Sequence, residues 1–317
     1  MRRLLLLLPL VLLLAAGAAA ALAWRAVHAP GPLREAATVA VPRGGTEVIA
    51  AALAERGALD QPRLFALAAL LTRGEGPLRA AEFAVPAGAS IRDLLSILRE
   101  ARPVQRRLTI PEGLSARQVA ALLERAEGLG GEVPPIAEGS VLPETYSFQL
   151  GEARAALVRR AQAAMEAALA EAWARRAPDL PLRSPREALV LASIIEKETG
   201  VAGERPQVGS VFVNRLRRGM PLQSDPTVVY AATGGLPLER PITRAELDAN
   251  HPFNTYRIRG LPPGPIAMPG RAALEAATQP ASTEFLYFVA DGSGGHAFAR
   301  TLEEHNRNVA RWRALGR

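Results

Sequence analysis

The chain has 317 residues, 49% of them hydrophobic and 22% charged; these are the proportions of a globular protein, and the length accommodates an anchor plus two domains of about 100–200 residues each. The formal net charge is +7, carried almost wholly by arginine with Lys197 as the lone lysine, and no stretch interleaves aromatic and basic residues, so no nucleic-acid partner is expected. Cysteine is absent, which excludes disulfides, thiolate zinc sites and a cysteine nucleophile.

The first predicted element is a helix over Leu4–Trp24, an uncharged run preceded by Arg2 and Arg3. As a helix its roughly 21 residues span about 30 Å of hydrocarbon, one membrane crossing. Ala18-Ala19-Ala20 would also suit a signal-peptide cleavage site; the length of the run and the interfacial Trp24 favour a retained helix. Residues 1–3 then form a cytoplasmic tip and the remainder is exported, although Arg25 weakens the charge asymmetry.

A Pro/Gly-containing linker, residues 25–36, leads to a repeated pattern of strand end, turn and helix start: Val41-Pro42-Arg43-Gly44-Gly45-Thr46, Val85-Pro86-Ala87-Gly88-Ala89-Ser90 and Ile110-Pro111-Glu112-Gly113-Leu114-Ser115. Proline ends each strand, glycine permits the turn, and Thr46, Ser90 or Ser115 is expected to cap the helix that follows. Gln118, three residues after Ser115, completes a capping box. Residues 37–105 thus form a small α+β module that resembles the LysM-like domain of cell-wall proteins; a spacer without glycan contact is the alternative.

From 106 to 182 the main expectation is a scaffold helix between Glu152 and Arg176. Ser184-Pro185-Arg186-Glu187 then gives a strong helix start, with serine as N-cap, proline at the first position and glutamate returning to the cap. Gly200 is the expected stop. At 100° per residue, Glu198 falls within about 60° of Leu191, Ile194 and Ile195, while Glu196 lies on the opposite side with Leu189, Ala192 and Ser193. A carboxyl on the apolar stripe should have a raised pKa and hold a proton near neutrality, as general acid catalysis requires. An ion pair with Arg205 or Arg215 is the other reading of Glu198.

Phe285 to Phe298 reads as a β-hairpin around the glycine-rich turn Asp291-Gly292-Ser293-Gly294-Gly295. His296 and His305 lack the HExxH spacing of a zinc site and are expected to hydrogen-bond near a cleft, so no metal is expected.

Five stretches carry a family resemblance: Leu191-Ala192-Ser193-Ile194-Ile195-Glu196-Lys197-Glu198-Thr199, Val211-Phe212-Val213-Asn214-Arg215-Leu216, Leu222-Gln223-Ser224-Asp225-Pro226-Thr227-Val228-Val229-Tyr230, Asn254-Thr255-Tyr256, and Gly260 to Ile266. In this order they resemble the endolytic murein transglycosylases, the YceG-like family, over roughly Thr109 to Asn308. The resemblance implies an α+β catalytic domain over 106–317 on the periplasmic side of the cytoplasmic (inner) membrane. It implies cleavage of the MurNAc–GlcNAc β-1,4 bond inside peptidoglycan glycan strands, leaving 1,6-anhydro ends, with Glu198 as the catalytic residue. No cofactor is implied, and peptidoglycan synthases are implied as partners. Such a reaction needs one carboxyl rather than two, because the sugar's own 6-hydroxyl attacks. Gln223, Asp225, Thr227, Asn254, Thr255 and Tyr256 lie in polar, turn-rich stretches suited to sugar hydroxyls and N-acetyl groups, or else to turns and caps.

Three rival functions stay open on the residues alone. A hydrolytic glycosidase would recruit Asp225 or Glu204 as second carboxylate. A protease would pair Ser193 with Lys197, which share a helix face. A wall-binding scaffold would bind strands without cutting them.

Overall fold

A computed structural model describes residues 2–316, and the side chains of residues 11–316. Met1 of the expected cytoplasmic tip and Arg317 of the expected catalytic domain lie outside the described residues. The fold is mixed α and β, and the chain divides into two compact units: residues up to Arg106 together with 149–151, and 107–148 with the chain from Glu152 onward.

The first unit opens with α1 (Arg2–His28). It runs one turn past the expected end at Trp24, because Arg25, Ala26, Val27 and His28 contain no breaker, and His28 Nδ1 lies 2.8 Å from the Trp24 carbonyl oxygen. Val11–His28 has a mean hydropathy of 1.6 and no buried residue, so α1 is long and apolar enough to cross a membrane. Then follow β1 (Ala37–Ala40), α2 (Thr46–Glu55), α3 (Pro62–Leu71), β2 (Glu82–Val85) and α4 (Ile91–Glu100). The two strands pair antiparallel, Ala37 opposite Val85 and Ala40 opposite Glu82. Phe65, Phe83, Leu53 and Leu95 are wholly buried between them and the helices, each contributing about 1.5–3 kcal/mol of transfer free energy. Ser90 caps α4 in a full capping box with Asp93. Thr46 does not cap α2: extended Gly45 takes the N-cap position and Thr46 becomes the first helical residue.

The second unit contains β3 (Arg106–Thr109, its first residue belonging to the first unit), α5 (Ala116–Arg125), β4 (Leu129–Gly130), β5 (Thr145–Phe148), β6 (Glu152–Ala153) and α6 (Arg154–Ala174). Strand β3 pairs with β5, and β4 with β6. The expected Ser115–Gln118 capping box starts α5. Next come α7 (Pro185–Glu198), α8 (Arg205–Arg217), α9 (Asp225–Thr233), α10 (Arg244–Asp248), α11 (Arg271–Thr278), the antiparallel hairpin β7 (Tyr287–Ala290) and β8 (His296–Ala299), and α12 (Leu302–Ala314).

Helix α7 is the axis of this unit, packed against α6, α8, α9 and α11, with Ala188, Leu191, Ala192, Ser193, Ile194 and Ile195 all fully buried. Ser184 caps it as expected, but the Glu187 carboxylate reaches the Arg183 N–H at 2.6 Å rather than that of Ser184. The helix ends at Glu198, where Thr199 turns extended, one residue before Gly200. Helices α8 and α11 pack tightly at Gly209, where a methyl group would sit 2.5 Å from the Ala276 carbonyl oxygen. Gly209→Ala should therefore cost about 1–3 kcal/mol by forcing the helices apart, read as a lower urea midpoint at unchanged slope.

Candidate active site

The last turn of α7 carries two glutamates that diverge, as helical phase requires. Glu196 is paired with Arg205 at 3.2 Å and accepts the Gly270 N–H at 2.8 Å; Arg205 also reaches Glu112 at 3.4 Å. Lys197 donates to the Gly113 carbonyl at 3.2 Å. Ser193 is fully buried, donating to the Val190 carbonyl and accepting the Ile266 N–H. Neither hydroxyl nor amine is placed for the other, so a Ser193/Lys197 dyad is not formed.

Glu198 turns the other way, into a recess of about 190 Å³ lined by Arg215, Leu222, Gln223, Asp225, Tyr256 and Phe288. Burial pushes its pKa from 4.5 to about 7, the Asp225 charge adding to the effect and a hydrogen bond from Ser224 and the Arg215 charge opposing it. The carboxyl therefore holds a proton over much of the neutral range, in a pocket open enough to admit a substrate atom. The Ser224 hydroxyl donates directly to Glu198 Oε1. Ser224 occupies the N-cap of α9 yet makes no capping bond with its side chain, which leaves the hydroxyl for the carboxylate. Because that bond favours the charged form, Ser224→Ala should raise the Glu198 pKa by about 1–2 units, measurable by infrared titration of the carboxyl.

Arg215 is buried without a direct ion pair to Glu198. Its Nε donates to the Leu286 carbonyl at 2.7 Å and its Nη1 to the Leu222 carbonyl at 2.9 Å and Gln223 Oε1 at 3.2 Å. Arg205, the other cation weighed as a partner for Glu198, is committed to Glu196 and Glu112.

Of the six polar residues read from sequence, three line the recess and three lie behind it. Gln223 and Asp225 are exposed, Tyr256 is half-buried, and the Tyr256 hydroxyl donates to Asp225 Oδ1 at 2.6 Å. Burial and Asp225 together raise the Tyr256 pKa, so its proton stays on. Thr227, Asn254 and Thr255 are fully buried. Thr227 Oγ1 lies 2.8 Å from Thr255 Oγ1, which accepts the Ser224 N–H at 2.9 Å. Asn254 Nδ2 donates to the carbonyls of Glu246, Leu247 and Ala249, and its Oδ1 accepts the Tyr256 N–H. These three hold the two loops that present Ser224, Gln223, Asp225 and Tyr256. Gln223 has φ +50°, the one non-glycine in the left-handed region among the described residues, a conformation costing about 1–2 kcal/mol. It is held by its N–H to the Thr255 carbonyl.

A second recess, about 220 Å³, adjoins the first, lined by Ser115, Gln118, Lys197, Pro226, Tyr230 and Leu236 among others. Lys197 and Pro226, which line the second recess, are the chain neighbours of Glu198 and Asp225, which line the first.

Sequence reasoning passed over Ser224 and Phe288, which come to Glu198 from α9 and the hairpin. In sequence Ser224, just before Asp225-Pro226, reads as an N-cap and nothing more; nothing local marked the second. His296 pairs with Glu204 at 2.7 Å, edge-on to Phe288. Burial works against the charged form of Glu204, and the hydrogen bonds from His296 outweigh it, holding the carboxyl below its ordinary value. His305 does not hydrogen-bond through Nδ1, which is buried without a partner; its ring stacks on Tyr287 instead, at 5.2 Å. No group of three or more metal-ligating side chains occurs among the described residues.

Comparison with known proteins places these features in one family. Residues 39–311 match the YceG-like family. An endolytic murein transglycosylase of Bacillus subtilis (strain 168) is 38% identical over 175 residues, 54% of this chain and 46% of that protein. The endolytic murein transglycosylase of Streptococcus pneumoniae strain D39 is 29% identical over 86% of this chain and 58% of its own length. The chain thus spans about half the length of the curated relatives it matches. A yceG-like protein of Listeria monocytogenes, solved by crystallography, superposes with a TM-score of 0.55 at 25% identity, covering 86% of this chain and 98% of that one. With a family match running through both units and nearly the whole described chain, the protein belongs to the YceG-like family.

Proposed function

We propose that this chain is an endolytic peptidoglycan lytic transglycosylase, cleaving the MurNAc–GlcNAc β-1,4 bond within nascent glycan strands and leaving 1,6-anhydroMurNAc ends that terminate elongation. The observation that carries the proposal is the Glu198 carboxyl, desolvated to a pKa of about 7 at the wall of an open recess. Its proton goes to the glycosidic oxygen as the bond to the anomeric carbon breaks. The resulting carboxylate then takes the proton of the sugar's 6-hydroxyl as that oxygen bonds to the same carbon. Atoms balance without water or metal, and Glu198 ends the cycle protonated. The Ser224 hydroxyl steadies the carboxylate between the two transfers.

Gln223, Asp225 and Tyr256 would orient the sugar at the bond to be cut, and the adjoining recess beside Lys197 and Tyr230 would take the next unit of the strand. Strand units held in both recesses would suit cutting inside a strand rather than at its end. The α1 helix, long and apolar enough to cross a membrane, supports a single-pass anchor, which we read as set in the inner membrane with the remaining chain on its periplasmic side. The β1–α2–α3–β2 order supports the LysM-like reading of residues 37–105. Peptidoglycan synthases are the partners expected of an enzyme that ends strand growth.

One feature favours a second reading: Asp225 puts another carboxylate in the same recess, as a hydrolytic glycosidase would need. Product mass decides between them. Digestion of uncrosslinked glycan strands should yield ring-closed ends lighter by one water than hydrolytic ends; hydrated ends would establish the glycosidase, and intact strands a wall-binding scaffold.

A further inference from the structure

Helix α3, sequence PRLFALAALL, carries no polar residue after Arg63. Its inner face, Phe65, Ala68 and Ala69, is buried in the core of the first unit, but Leu67, Leu70 and Leu71 on its outer face are 50%, 59% and 76% exposed. A helix facing water carries charged and polar residues there, and a contiguous leucine face on the surface marks an interaction site. Its neighbour is the end of α1: Trp24, Val27 and His28 line an apolar groove of about 220 Å³ together with Leu64, Leu67 and Leu71. A helix touching the turn that contains Trp24 cannot lie far from the leaflet in which α1 ends. Exposed Arg25, Arg63 and Arg73 stand at the ends of these two helices, placed for anionic headgroups.

We infer that α3 is a second membrane contact, its Leu67/Leu70/Leu71 face set into the headgroup–acyl boundary of the bilayer that α1 crosses, seating the first unit on the lipid surface. This rests on the anchor reading of α1 proposed above. The bilayer is the occupant because the leucine face is continuous with a helix whose residues from Val11 to Trp24 are themselves exposed and need lipid around them. Val27, partly buried against the first unit's core, ties the end of α1 to the unit that carries α3.

The absence of cysteine makes any introduced thiol unique. Leu70→Cys, Leu71→Cys, Ala21→Cys and Glu284→Cys in the 317-residue chain, each labelled with bimane and reconstituted in phosphatidylethanolamine/phosphatidylglycerol vesicles, would be quenched either by lipid-borne nitroxide or by aqueous iodide. Quenching by nitroxide about threefold or more stronger at positions 70 and 71 than at 284 is expected. Iodide quenching at 70 and 71 equal to that at 284, with the label at 21 in lipid, would overturn the inference and leave the anchor standing. A label at 21 open to iodide would sink the anchor reading itself. Shielding from iodide without nitroxide contact would assign the face to a protein or a second copy, and also overturn it.

Discussion

Replacing Glu198 with glutamine is expected to reduce strand cleavage by about 10²–10⁴-fold, because the amide can neither give the proton to the leaving oxygen nor take one from the 6-hydroxyl. The wild-type rate should fall on the alkaline side with a midpoint near pH 7, where the carboxyl loses its proton. The same substitution should make the protein more stable, with a sign fixed by linkage. The folded carboxyl has a raised pKa, so the folded state holds the proton more tightly than the unfolded one. Stability is therefore complete below the unfolded value of 4.5 and is lost as pH rises through about 7. At pH 8 Glu198→Gln should exceed wild type by up to about 3 kcal/mol, and at pH 4 the two should coincide. Thermal denaturation at both pH values tests this; a variant as inactive as expected but no more stable at pH 8 would remove the desolvation argument.

Replacing Arg215 with methionine is expected to cost about 3–5 kcal/mol of stability, because it strips the guanidinium from the carbonyls of Leu286, Leu222 and Pro221, and the buried acceptors of Leu286 and Leu222 cannot turn to water. The charge matters separately. Arg215 holds the Glu198 pKa down, so in the folded fraction the alkaline limb of the pH–rate profile should move upward. Arg215→Lys keeps the charge but cannot span the three carbonyls, and should restore the limb while leaving much of the stability loss. Denaturant midpoints and pH profiles on the same samples separate the two roles; a limb that stays in place in Arg215→Met would show that the charge does not reach Glu198.

The parts of this structure that sequence reasoning reached are those with local causes. Ser90, Ser115 and Ser184 cap helices where the next three residues dictate it, and the divergence of Glu196 from Glu198 follows from helical phase alone. What escaped depends on chain segments meeting in space. Ser224 lies 26 residues beyond Glu198, Phe288 arrives on a hairpin, and Arg215 finds its carbonyls on two separate stretches, Pro221-Leu222 and Leu286. The polar loops show the ambiguity most clearly. In sequence, Thr255 and Tyr256 look alike as candidate sugar contacts, yet one is sealed in a threonine cluster and the other faces the recess. Polarity says that a side chain needs partners, not whether those partners are protein or substrate.

The lone lysine has a practical corollary. Lys197 sits one position before Glu198, its amine resting on the Gly113 carbonyl at the rim of the second recess. In these 317 residues it is the single side-chain amine, so amine-directed acylation that elsewhere decorates a whole surface would here leave its one lysine adduct at the rim of that recess. An electrophile mounted on a short glycan fragment would have one ε-amine to find, one residue before Glu198.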